Sequence, residues 1–327
     1  LSDNPSLSVV VPCYNDALCL EELRRRVTAA CNDVVGSDWE LVLIDDGSRD
    51  ESRDIIEGFV NEDPQIIGVI LSRNHGHQLA LTAGLSHARG ARILILDSDL
   101  QDPPELLGQM MALMDEGHDV VYGQRKSRKG ETTFKRTTSA LFYRVLNKLT
   151  DTDIPLDTGD FRLMSRRALD VVMSMPEQHR FMRGMVSWIG FSQVPLRYDR
   201  DERFAGETHY TLGKMVSLTI DALTSFSIVP LRLATWLGLF VASLSIPLFI
   251  YVFGSLLFGI VVPGWASVLL VVVVLGSTQL IVVGIIGEYV GRMYMQSKGR
   301  PLFIVEELHR NPAELAEKPA PAAAKSG

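Results

Sequence analysis

Apolar residues in the first third of the chain come in short unbroken runs rather than in alternation. Leu7–Val11, Trp39–Ile44, Ile66–Leu71 and Arg92–Leu96 are each rich in Val, Ile or Leu, and each is followed by polar residues. Between them lie segments with apolar positions at helical spacing: Ala17–Val35, a stretch near Glu51–Val60, and Gln78–Ala88. Unbroken apolar strands alternating with amphipathic helices predict a mostly parallel sheet covered on both faces, an α/β fold. Pro103 and Pro104 open a further helix to about Glu116, since proline is tolerated in a first helical turn. Asp119–Tyr122 reads as the next strand. In sheets of this kind ligands bind beyond the carboxyl ends of the strands, so the chemistry is expected there.

The alternation stops after Gly123. Arg125, Lys126, Arg128, Lys129, Lys135, Arg136, Arg144 and Lys148 are opposed by Glu131 alone, while Leu141, Phe142, Val145, Leu146 and Leu149 recur at helical spacing. A basic helix over about 132–150 with one apolar face suits the headgroup layer of an anionic membrane, although an ordinary surface helix shares the pattern. A second juxtamembrane helix is expected within 211–231. Between Arg232 and Glu288 there is no Asp, Glu, Lys or Arg. A membrane span needs about 20 apolar residues, so this stretch has room for two and a turn. The expected spans are Leu233–Phe258 and Ala266–Gly287, joined through Pro263 and Gly264. Arg232 before the hairpin and Arg292, Lys298 and Arg300 after it place both outer ends in the cytoplasm by the positive-inside rule. Trp236 and Trp265 suit the two interfaces. The expected organisation is a cytoplasmic catalytic domain over 1–210, the juxtamembrane helix, a transmembrane hairpin over 232–290, and a C-terminal segment over 291–327. That segment's Ala-, Pro-, Glu- and Lys-rich tail is expected to be disordered.

Residues Leu1–Ser8 have neither a basic nor an apolar signal-peptide region, which agrees with a cytoplasmic domain. The three cysteines, Cys13, Cys19 and Cys31, form no C-x-x-C pair and read as reduced structural thiols. The net charge of −7 decides little, because its distribution matters more than its sum.

The sharpest local signal is Asp97-Ser98-Asp99, directly after an apolar strand. Two carboxylates one residue apart can share a hard divalent cation, Mg²⁺ or Mn²⁺, together with a diphosphate. Taken alone the pattern is weak, since Asp also caps helices. The other strands end in polar residues as well: Pro12-Cys13-Tyr14-Asn15-Asp16, Asp45-Asp46-Gly47-Ser48 and Ser72-Arg73-Asn74-His75-Gly76. No Gly-x-Gly-x-x-Gly follows the first strand and no P-loop is present, which argues against a dinucleotide cofactor. His75 and His77, in a polar loop, read as solvated side chains rather than metal ligands.

Taken together, VVVPCYND, LVLIDDGSRD, LSRNHGHQLALTAG, LDSDLQDPPE, TGDFRLMSR, FMRGMVSWIG and GEYVGRMY resemble glycosyltransferase family 2. Within it they are similar to the polyisoprenyl-phosphate glycosyltransferases such as bactoprenol glucosyltransferase and dolichol-phosphate mannose synthase. The resemblance implies a GT-A-type nucleotide-sugar-binding domain. It implies that Pro12, Tyr14, Asn15 and Asp46 line the nucleotide pocket, that Asp97 and Asp99 hold the metal with Gln101 beside them, and that Asp160 is the base facing the acceptor. Arg125, Arg162 and Arg203 are then expected to meet phosphate charge. Thr208 lies in the acceptor-side run Gly206-Glu207-Thr208-His209-Tyr210, where His209 replaces the family's usual Lys.

The implied reaction is inverting transfer of a sugar, best matched by glucose from UDP-glucose, to undecaprenyl phosphate at the cell membrane. The implied assembly is a homotetramer, and no nucleic-acid partner is expected. UDP-aminoarabinose or GDP-mannose are alternative donors. A processive polysaccharide synthase is disfavoured because no Q-x-x-R-W is present, and a non-catalytic scaffold because Asp46, Asp97, Asp99 and Asp160 are intact.

Overall fold

The computed structural model describes residues 4–126, 158–178, 180–199, 229–258 and 264–310. The expected basic helix over 132–150, most of the juxtamembrane helix, Arg203, Thr208 and the tail from Asn311 lie outside these residues. The chain divides into two compact units, one holding every strand among the described residues and the other two long helices.

In the first unit β1 (Leu7–Cys13), β2 (Trp39–Asp45) and β3 (Ile66–Leu71) are buried at every position, as their unbroken apolar runs predict. With β4 (Arg92–Ile95) they form a parallel block in the order β3-β2-β1-β4. The pleat divides their side chains between two layers. Val9, Val11, Leu41 and Leu43 join the core formed with Leu20, Leu23 and Val27 of α1 (Ala17–Val35), Ile56 of α2 (Ser52–Glu62) and Met110 of α4 (Leu107–Asp115). Val10 and Ile44 face the opposite way, toward α3 (His77–His87). There a Cβ on Gly84 would stand 2.3 Å from Ile44 Cδ1 and 2.6 Å from Val10 Cγ1, so glycine lets the helix approach the sheet.

The amino edge of this block is fastened by a buried carboxylate. Glu40 Oε1 accepts from Ser8 Oγ at 2.6 Å and from Arg89 N at 2.6 Å, and Oε2 accepts from Arg89 Nε at 2.9 Å. A buried charge is tolerable when its lone pairs are met in this way.

The second half of the sheet differs from simple alternation. The strand expected at Asp119–Tyr122 is β5, running Val120–Arg125. The prolines open a short 3₁₀ turn, Pro104–Leu106, that leads into α4. The TGDFRLMS run forms β6 (Thr158–Ser165), antiparallel to both β4 and β5. After α5 (Arg166–Ser174) and α6 (Met182–Trp188), β7 (Gln193–Tyr198) pairs in parallel with β5. At the far edge β8 (Val305–His309), from the C-terminal segment, pairs antiparallel with β3. The full order is β7-β5-β6-β4-β1-β2-β3-β8. A segment from beyond the apolar region thus completes the sheet of the first unit.

In the second unit α7 (Val229–Leu257) and α8 (Trp265–Ser297) cover the two expected spans. Among the described residues one segment, Val271–Ser297, is long and apolar enough to cross a bilayer, whereas the apolar stretch Leu231–Val241 is shorter. A hydrocarbon core requires about 20 residues of helix. The two-span hairpin is therefore matched in helical content but in only one helix by this criterion.

Candidate functional site

The carboxyl edge of the parallel block collects the polar loops, and the loops are stitched to one another. Asp46 N donates to Cys13 O at 2.9 Å, Asn15 N to Ser48 Oγ at 2.9 Å, and Arg49 N to Asn15 Oδ1 at 2.8 Å. Asn15 is held at φ 56, a left-handed conformation that non-glycine residues adopt mainly at turns and functional sites. Gly47 is required where the second loop meets the third, since a Cβ there would lie 2.6 Å from the Arg73 carbonyl carbon. Asp46 is buried, and its two oxygens accept from His75 N at 2.7 Å and Gly76 N at 2.9 Å. Burial pushes its carboxyl up, opposed by those two amides. Pro12 is a buried residue of β1, while Tyr14 is 42% exposed on the rim. Of the expected nucleotide-pocket residues, Asn15 and Asp46 thus organise loops and Tyr14 offers an open face.

Asp97, Ser98 and Asp99 follow β4 directly. Ser98 Oγ donates to Asp16 Oδ2 at 2.6 Å, tying this loop to the first one. Leu100 is buried at φ 58, and Gln101 N donates to Asp99 Oδ1 at 3.1 Å, so the turn holds a strained residue between Asp99 and Gln101. Asp97 Oδ1 is buried without a hydrogen-bond partner among the described residues. Burial pushes the Asp97 carboxyl up to about 6.

Strand register brings Asp160 to the same place. Ile95 lies opposite Arg162 across the antiparallel β4–β6 pair. Continuing each chain two residues toward the loop sets Asp97 against Asp160. The Asp160 carboxylate is buried and surrounded by donors. Oδ2 lies 3.1 Å from His77 Nε2 and accepts from Gln78 Nε2 at 2.9 Å, and Oδ1 accepts from Arg183 Nε at 3.0 Å. His77 Nε2 is also 3.6 Å from Asp97 Oδ1, so the imidazole stands between the two carboxylates. Burial opposes ionisation at both ends of this pair. Even so, Arg183 first, then His77 and Arg162, hold Asp160 well below the usual carboxylate range. The hydrogen bond to Asp160 and the two carboxylate charges likewise push His77 to about 9.

Two arginines expected to meet phosphate point inward. Arg162 is 4% exposed and donates through Nε to Asp160 O at 3.2 Å and through Nη2 to Gly159 O at 3.1 Å. Its guanidinium braces β6 from within. Arg125 lies with Nη2 3.9 Å from Asp102 Oδ1, behind the Asp97–Gln101 loop. Gln78 and Arg183 were not singled out from the sequence. Gln78 could have been, because it lies in the first turn of the helix after a strand that ends at the chemical edge. Nothing local in the sequence pairs Arg183 with Asp160. His77 is part of the site rather than a solvated side chain.

A cluster of two carboxyls and an imidazole lies elsewhere among the described residues. Glu57, Glu307 and His309 gather between α2 and β8, where Arg53 already pairs with Glu57 and Glu307 at 3.0 Å each. The carboxyl-edge site instead offers Asp97 and Asp99, with the unpartnered Asp97 oxygen as an anionic acceptor. That donor set suits a hard cation that also takes ligands from a diphosphate.

A sheet of this order with paired carboxylates at its carboxyl edge defines a GT-A-like domain, the scaffold of a sugar-transferring enzyme. Residues 8–173 match the family model for glycosyl transferase family 2. The chain is 43% identical to an uncharacterised glycosyltransferase, YkcC, of Bacillus subtilis (strain 168), covering 94% of this chain and 95% of that protein. It is 37% identical to the bactoprenol glucosyl transferase of Shigella phage SfII, covering 93% and 98% respectively. A looser structural likeness, TM-score 0.46 at 19% identity over 67% of this chain and 66% of the other, is to S. aureus TarS 1-349 in complex with UDP-GlcNAc. The chain belongs to glycosyltransferase family 2.

Proposed function

We propose that the protein transfers a sugar from a nucleoside diphosphate to a polyprenyl phosphate at the cytoplasmic face of the cell membrane, with UDP-glucose as donor and undecaprenyl phosphate as acceptor. The observation that carries this reading is the convergence of Asp97 with the clamped Asp160 beyond β4, in a chain similar over nearly its whole length to bactoprenol glucosyl transferases. The long apolar helix Val271–Ser297 supports a membrane location. The basic residues at the outer ends of both long helices support a two-span arrangement with the catalytic domain in the cytoplasm.

In this reading Asp97 and Asp99 hold Mg²⁺ or Mn²⁺, which when bound supplies a Lewis acid for the departing diphosphate. Gln101 fixes the Asp99 carboxylate through its amide. Tyr14 offers an exposed ring to the nucleotide base, and Asp46 holds the loop that frames it. The acceptor is a phosphate monoester with a second pKa near 6, so it arrives largely ionised and needs little help from a base. Asp160, with both oxygens engaged and its pKa held down, is a poor proton acceptor. Its role is to orient the acceptor and to balance His77, Arg162 and Arg183. Arg203 and Thr208 are proposed to contact phosphate, and Arg125 is proposed to meet one of the two phosphate groups. A homotetramer is proposed for the assembly, on family resemblance.

The test is direct. Full-length protein in detergent is incubated with undecaprenyl phosphate, Mg²⁺ and labelled nucleotide sugars, and label is followed into the organic phase. Transfer from UDP-glucose, lost by about 10²–10³-fold in Asp99→Ala, is the expected result. Folded protein that binds UDP but moves no label from any donor would overturn the lipid-acceptor reading.

A further inference from the structure

Behind the Asp97–Gln101 loop four residues from four separate segments meet. Asp102 follows the loop and is wholly buried, Arg125 ends β5, Gly159 directly precedes Asp160 on β6, and Tyr198 ends β7. The Tyr198 hydroxyl donates to Asp102 Oδ1, and Arg125 Nη2 stands 3.9 Å from the same oxygen. A Cβ on Gly159 would lie 2.9 Å from Arg125 Nη2 and 3.6 Å from Asp102 Oδ2, so the guanidinium passes through space that any other residue would fill. The Tyr198 ring packs edge-on against Phe161, with centroids 5.6 Å apart and planes at 72°. That packing aims the hydroxyl at Asp102.

The pairing is unequal. Asp102 takes a direct hydrogen bond from a neutral phenol, while the cation stays at 3.9 Å, beyond the contact distance of a charge-assisted hydrogen bond. Arg125 Nε has no hydrogen-bond partner among the described residues, and its side chain is 19% exposed. An arginine placed beside the residue before Asp160, steadied by a carboxylate that does not fully engage it, keeps donors for an anion. Building on the glycosyl-transfer reading, we propose that Asp102 and Tyr198 are positioning residues that hold Arg125 ready for a substrate phosphate. The phosphate belongs either to the nucleotide diphosphate or to the lipid.

The experiment uses full-length protein in detergent and two binding arms, UDP with Mg²⁺ and a short-chain polyprenyl phosphate. Tyr198→Phe removes one hydroxyl and keeps the ring against Phe161. The expected result is binding weakened about tenfold in one arm, the arm identifying the phosphate, with Arg125→Lys weakening the same arm. The double variant Tyr198→Phe/Arg125→Lys should be no weaker than Arg125→Lys alone, because the hydroxyl acts only through the guanidinium. Gly159→Ala, which crowds Arg125 Nη2 without touching Tyr198, should reproduce the effect, and it serves as the deciding variant if Tyr198→Phe does not fold. Both arms within twofold of wild type, or effects that multiply in the double variant, would overturn the proposal. Because both arms read binding, absence of sugar transfer by the wild type would sink the glycosyl-transfer reading while leaving this inference decided by the same data.

Discussion

His77 Nε2 lies 3.1 Å from Asp160 Oδ2, joining the first residue of α3 to the second acidic element of the site. Asp160 is therefore the hub on which α3, β6 and α6 converge, with Gln78 and Arg183 as its other donors. Gln78 uses both ends of its amide, since its Oε1 accepts from Met182 N at 2.9 Å where α6 begins.

Asp160→Asn should cost stability as well as transfer. It removes the buried counter-charge of Arg162 and Arg183, and breaking a buried pair by deleting one partner costs roughly 3–5 kcal/mol. Urea unfolding at neutral pH should show a loss of that order. Asp160 has a lowered folded pKa, so its contribution is present above the ordinary Asp range and is lost as pH falls through the folded value. The wild-type and Asn variant stabilities should accordingly converge in acid. A variant as stable as the wild type at neutral pH would contradict the clamp.

His77 gives the opposite pH signature. Its folded pKa, pushed to about 9, exceeds its ordinary value of 6.5. The stability it contributes is full below about pH 6.5 and is lost as pH rises through about 9. Melting temperatures of wild type and His77→Gln should therefore differ most near pH 6.5 and least above pH 9. An imidazole NMR titration with a midpoint near 6.5 would contradict the contact with Asp160.

Cation affinity should weaken in mild acid. Burial raises metal-free Asp97 to about 6, so below that pH a proton competes with the cation. Calorimetric titration with Mn²⁺ alone should show affinity falling by up to about tenfold per pH unit below 6, the limit for displacement of one proton. In Asp97→Asn the affinity should be low throughout and this pH dependence absent.

Away from the site, Gly84→Ala should destabilise the sheet–helix contact by roughly 1–3 kcal/mol, because its Cβ would overlap Ile44 and Val10 in a packed core. Denaturant unfolding would read this directly. An unchanged midpoint would mean that α3 can lift from the sheet at little cost.

The strands β1 to β4, the helices between them and the position of Asp97-Ser98-Asp99 at a strand end were legible in the sequence. Each depends on local periodicity, which a single chain displays. The uncharged stretch was equally plain, because a bilayer imposes a length and composition that need no partner to be recognised. Tertiary structure alone decided the rest. Asp160 meets Asp97 because β6 runs antiparallel to β4 in one register. Arg162 turns inward because that register places it where the carbonyls of Gly159 and Asp160 need donors. His77 becomes a partner of Asp160 rather than a solvated side chain because α3 begins at the same edge. Val305–His309 returns to cover β3 although nothing along the chain marks it as a partner of that strand. In each case the deciding contact joins residues remote in sequence, and pattern along the chain carries no record of which distant strand or helix will supply the partner.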